Sequence, residues 1–140
     1  MDQVQVALDY FHADHLRWRN ELEFAKQELS IFDHRLEEVV TQTNDKETLA
    51  EVEHFQNQFI REREVIDELL HTVGLEEQLI ANMAREATTA VEQFDMTRHL
   101  EVANEMITFS RLYADLRYTF NKFLMRRIKG AIISMGPSSN

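Results

Sequence analysis

A chain of 140 residues, 44% of them apolar, is long enough to bury one domain-sized core. Three glycines and a single proline, Pro137, are too few turn formers for a sheet-rich fold, and the lack of cysteine excludes disulfide scaffolds, thiolate zinc sites and cysteine nucleophiles. A formal net charge of −10 repels phosphate backbones and argues against general nucleic-acid binding, while no apolar run reaches the length of about 18 residues that a membrane span needs.

The opening segment MDQVQVALDYFHADH carries acids where a secretory signal needs a basic flank, so the expected location is the cytoplasm. From Leu8 the apolar positions run Phe11, His15, Trp18, Leu22, Ala25, Leu29, Phe32, Leu36 and Val39 to Thr43, an unbroken alternation of three and four. This heptad seam predicts a first helix over 3–43, roughly 60 Å long at 1.5 Å per residue, supercoiled against partner helices. Tyr10, Phe24 and Ile31 lie outside the seam, with Arg17 interrupting them. They read either as a widened core face or as a candidate interface for a protein partner or a second copy.

A turn is expected at Thr43-Asn44-Asp45-Lys46-Glu47, with Asn44 capping the next helix and Glu47 completing a capping box. The second seam reads Leu49, Val52, Gln56, Phe59, Arg63, Ile66, Leu70, Val73, Glu77, Ile80, Ala84, Ala87, Val91 and Phe94, with polar intruders at Gln56, Arg63 and Glu77. Gly74 interrupts this run. The phase holds across it and no capping residue follows, so one long helix with a possible kink is expected, and a fourth helix only if the chain breaks at Gly74. Asp95 can cap a last helix over 97–132, whose apolar positions include Leu100, Ala103, Met106, Ile107, Phe109, Leu112, Leu116, Phe120, Phe123, Leu124 and Ile128. Residues 135–140 read as a frayed tail.

The expected fold is therefore all-α: a single domain over 1–134, an elongated antiparallel bundle of three long helices with coiled-coil-like packing. Turns near 44 and 95 would pair the first two helices where residue numbers total about 88, and the last two near 191. On that register both ends of the bundle are two-stranded, and such ends leave apolar surface that a further chain can cover, which points to a homo-oligomer.

His15 is the polar residue inside the first seam, and a buried imidazole needs hydrogen-bond partners. The register places it near Val73, so a polar layer of His15, Glu68, His71 and Tyr118 is the candidate site, with Gly74 making room for the bulk of His15 or Trp18. The blander reading is a satisfied core histidine. Two Glu-x-x-His motifs, Glu51 with His54 and Glu68 with His71, have the spacing of bundle di-iron ligands. They fall on one helix, 17 residues or roughly 25 Å apart, too far to share an ion. His12-x-x-His15 offers two ligands without a third, and His34 and His54 would meet near the first turn. No metal, no cofactor and no catalytic residue is assigned.

Arg117, Lys122, Arg126, Arg127 and Lys129 stand among Tyr118, Phe120 and Phe123. They either offset the helix dipole or grip an acidic partner or membrane surface. Gly-rich phosphate loops, His-Glu-x-x-His and Gly-x-Ser-x-Gly are missing. The functional expectation is a non-catalytic scaffold or protein-interaction module that self-associates; the alternative is a small-ligand or metal-binding bundle built on the polar layer.

Overall fold

A computed structural model of the chain, which describes residues 3–86 and 96–134, contains three helices: α1 (Gln3–Gln42), α2 (Lys46–Glu86) and α3 (Met96–Ser134). No strand occurs among the described residues, and no helix is long and apolar enough to cross a membrane. By the density of its contacts the chain divides into two units, Met1–Ile107 and Thr108–Asn140, with the boundary inside α3. The expected cap Asp95, the seam positions Ala87, Val91 and Phe94, and the tail 135–140 lie outside the described residues.

In the first unit the α1 seam is buried from Leu8 through Val39, every position in phase. Burying a large apolar side chain contributes about 1.5 to 3 kcal/mol, so the eight such residues of this seam hold the helix far more firmly than intrinsic propensity could. Its partner seam on α2 differs from the expected one. Val52, Phe59, Ile66, Val73 and Ile80 are buried as read, but the positions between them are Phe55, Leu69, Glu76 and Met83, each one residue earlier than Gln56, Leu70, Glu77 and Ala84. Two alternating patterns share the first set. The structure takes the one that buries Phe55 and Met83 and leaves Gln56 and Ala84 exposed.

Glu62 stands where Arg63 was expected on that seam and is half-buried. Burial pushes its carboxyl above the usual range, with the Arg61 charge opposing. Arg63 instead pairs with Asp33, and Lys26 reaches Asp67 at 2.8 Å, both bonds tying α1 to α2.

The register is also longer than expected. His15 opposes Glu76 and Phe32 opposes Phe59, so paired residue numbers total 91 rather than 88. The capping geometry supplies the reason. Asp45, not Asn44, caps α2: its Oδ2 accepts from the Thr48 backbone N–H at 3.0 Å and from the Thr48 hydroxyl at 2.7 Å. Thr48 thus fills the place given to Glu47, and the turn sits later in the chain. Asp45→Ala is expected to lower stability by about 1 kcal/mol, measured as a urea midpoint shift at constant slope.

Helix α2 passes through Gly74 unbroken, so the described residues form three helices and not four. A Cβ placed at Gly74 would meet no neighbouring group within 4 Å, so no bulky neighbour requires the glycine. Gly74→Ala should therefore raise stability by about 1 kcal/mol through helix propensity alone. A loss on thermal unfolding would mean the position serves something other than packing.

Helix α3 follows its own seam: His99, Val102, Met106, Phe109, Tyr113, Leu116, Phe120 and Phe123 are buried, spaced by three and four. Leu100, Ile107, Leu112 and Ile128, read as apolar face positions, are exposed. Within the second unit Phe109 stacks on Tyr113 at 5.5 Å, and Arg117 lies over the Tyr113 ring at 5.0 Å. The last turn of α3 holds no basic residue, so the basic stretch lies short of the helix end and the dipole account loses force.

Candidate functional site

The polar layer lies within the first unit and is assembled from one histidine or acid per helix. His15 and Glu76 occupy seam positions of α1 and α2, and His99 the first turn of α3; all three are buried. His15 Nε2 meets Glu76 Oε2 at 2.7 Å, and His99 Nδ1 meets the same oxygen at 3.2 Å. The outer ring nitrogens have acids of their own. His15 Nδ1 donates to Glu77 Oε2 at 2.5 Å, and His99 Nε2 donates to Asp14 Oδ2 at 2.9 Å.

Two exposed side chains, Arg17 and His12, close the layer towards solvent. Arg17 holds Asp14 at 3.0 Å, one turn along α1, and His12 Nδ1 bonds the second oxygen of Glu77. The i, i+3 spacing of His12 and His15 lets both grip Glu77 from one helix face. Aromatic rings wall the inner side: Phe11 and Trp18 lie 4.9 and 5.0 Å from the His99 ring, and the two imidazoles are 5.3 Å apart.

One atom of this network has no hydrogen-bond partner among the described residues. Glu76 Oε1 is buried without a hydrogen bond, although Oε2 of the same carboxylate is contacted by two imidazoles. An unpaired buried acceptor costs about 1 to 3 kcal/mol, more when charged. Because Glu77 and Asp14 accept from the outer nitrogens, a neutral imidazole turns its inner lone pair towards the Glu76 carboxylate. Lone pair against carboxylate oxygen is repulsive, so the centre needs positive charge at its middle, supplied by protons or by a metal ion. Donor atoms of His15, Glu76 and His99 lie within 4.8 Å of one another, close enough to share one ion.

Burial pushes the Glu77 carboxyl up, but the hydrogen bonds from His15 and His12 and their charge outweigh it, so Glu77 is held below its ordinary value. Its stabilising contribution is full above pH 4.5, the ordinary value, and is lost as pH falls through the lowered folded value. Stability of the native chain should therefore fall more steeply below pH 4.5 than that of Glu77→Gln, read from urea unfolding at stepped pH. Parallel curves would mean the bonds to His12 and His15 are not kept in solution.

Of the four residues expected in the layer, the structure brings only His15 to it. Glu68 and His71 are exposed on α2, because the register places Glu76 opposite His15 rather than Val73. Tyr118 is 67% exposed in the second unit, its ring under Lys122 at 5.5 Å. The place given to the third helix is taken by His99: Glu76 faces it, a pair totalling 175, not the expected 191. His99 was legible in principle, since counting back from Phe123 by alternating fours and threes ends on it. His34 is turned to the Ser30 carbonyl of its own helix at 2.9 Å, away from the expected meeting with His54. Tyr10, Phe24 and Ile31 are exposed.

Comparisons with family models, with curated proteins and with solved structures find no match to this chain.

Proposed function

We propose that the protein is a metal-binding helical bundle, in which one divalent ion is held by His15 Nε2, His99 Nδ1 and the Glu76 carboxylate. The observation that carries this reading is the convergence of two inner imidazole nitrogens on a carboxylate whose other oxygen is buried and has no partner among the described residues. Glu77 and Asp14 then act as the outer carboxylates that orient metal-bound histidines and raise their basicity, a pairing typical of metal centres. Two imidazoles and a carboxylate, with no thiolate, suit zinc, iron(II) or manganese(II) rather than copper(I). The cysteine-free composition fits a cytoplasmic setting.

Trp18 makes the reading testable, because it is the single tryptophan and packs directly on His99. Protein purified without a histidine tag should carry or take up a stoichiometric ion by elemental analysis. Cobalt(II) or nickel(II) should quench the Trp18 emission, and His15→Ala and His99→Ala should lose both effects. A chain that takes up no zinc, cobalt, nickel, iron or manganese and shows no quenching would refute the proposal.

A second reading, a self-associating scaffold or partner-binding module, is favoured by a different observation. Tyr10, Phe24 and Ile31 are 71%, 58% and 57% exposed, at positions separated by whole heptads on α1. Light scattering coupled to size exclusion tests it: a dimer that reverts to monomer in Phe24→Glu supports this surface, and a monomer at all concentrations removes self-association.

A further inference from the structure

We infer that metal occupancy of this centre decides whether the leading turns of α3 stay seated on the α1–α2 hairpin, so that the bundle is a metal-responsive switch; this rests on the metal-binding reading above. The three donors come one from each helix, so a single ion is a clip across all of them. Helices α1 and α2 have other ties: two long apolar seams, the Lys26 to Asp67 bond and the Arg63 to Asp33 pair. Over Met96 to Ile107, by contrast, α3 buries His99, Val102 and Met106, and the first of these is itself a donor to the ion.

With an ion in place, the buried Oε1 of Glu76 has a partner and His15 and His99 share the ion with it. Without it, three carboxylates, Asp14, Glu76 and Glu77, crowd one layer, and Glu76 Oε1 faces no donor. Keeping α3 seated then means holding an acid and two imidazoles out of water with a carboxylate oxygen of Glu76 unsatisfied. Lifting residues 96–107 returns Glu76 and His99 to solvent. It also uncovers Phe11 and Trp18, the rings that pack on His99, beside the cluster of Leu8, Ile80 and Met83. The ion thus governs access to an apolar surface at this level of the hairpin.

Hydrogen exchange of the full chain tests this, on protein stripped with a chelator and on the same protein given one equivalent of zinc, with bound metal measured on both. Amides of residues 99–107 should exchange at least about tenfold more slowly with zinc, the shift expected once free ion exceeds its dissociation constant by that factor. Trypsin cleavage after the exposed Arg98 should slow in step, while exchange over 22–39 and 52–66 stays unchanged. His99→Ala should show the fast pattern with and without zinc. Stoichiometric zinc with no change at 99–107, or protection spread evenly over α1 and α2, would overturn the switch and leave the metal-binding reading standing. Protein that binds no zinc would overturn both, and the metal measurement tells the two failures apart.

Discussion

Glu76→Ala is expected to destabilise the protein by about 3 to 5 kcal/mol relative to the native chain, both with one equivalent of zinc, one of the two largest effects of any single substitution. Glu76 is the acid that both buried histidines share, so its removal takes away the carboxylate that His15 Nε2 and His99 Nδ1 both face. Truncating one partner of a buried pair is far more harmful than replacing the group by something apolar, because the remaining partner keeps its whole desolvation penalty. Glu76→Leu should accordingly be milder than Glu76→Ala, despite losing the same hydrogen bonds. Urea unfolding of both variants, each with one equivalent of zinc, measures the difference. Equal losses would mean that packing rather than polarity decides stability at this level. A loss under about 1 kcal/mol for alanine would mean that water already occupies the layer.

Phe59→Ala is expected to be as harmful for an unrelated reason. Phe59 is fully buried, with the Phe32 ring 5.7 Å away across the helix pair and the Phe55 ring 6.2 Å away on its own helix. Truncation of a buried phenylalanine removes its transfer energy and leaves a cavity that neighbours only partly fill, which together come to about 3 to 5 kcal/mol. The position lies 17 residues before Glu76, roughly 25 Å along the helix, so the two effects should add and metal uptake by the folded variant should be unchanged. Loss of metal binding in a folded Phe59→Ala protein would show that the α1–α2 register is softer than these seams imply.

The legibility of the chain differs from helix to helix. The seam of α1 could be read without error because ten successive core positions carry one polar residue, His15, so only one phase fits. In α2 apolar residues also stand one place after the true line: Leu70 next to Leu69, Leu49 next to Thr48, and alanine at 84 next to Met83. Periodicity alone could not choose between two phases sharing every second position, and packing against α1 chose. The site suffered most, because its composition depended on register. An offset of three between expected and observed pairing is nearly one helical turn, enough to exchange Val73 for Glu76 as the neighbour of His15. His99 was hidden by its chemistry, since a polar residue at a helix start reads as solvated until its heptad is counted back from Phe123.

The polar position of α2 at Glu76 has a consequence for how the chain avoids folding wrongly. Its seam repeats every seven residues, so sliding α2 by one heptad past α1 would keep nearly every apolar residue in contact with another. Such slipped hairpins would be close in energy to the native one and slow to correct. Sliding by seven brings Leu69 or Met83 in front of His15 in place of Glu76. The imidazole would then be buried against hydrocarbon, at about 1 to 3 kcal/mol, and the carboxylate stranded elsewhere in the seam. A pair that adds little net stability to the correct alignment thus penalises each neighbouring alignment twice, and the hairpin of two forty-residue helices is left with a single address.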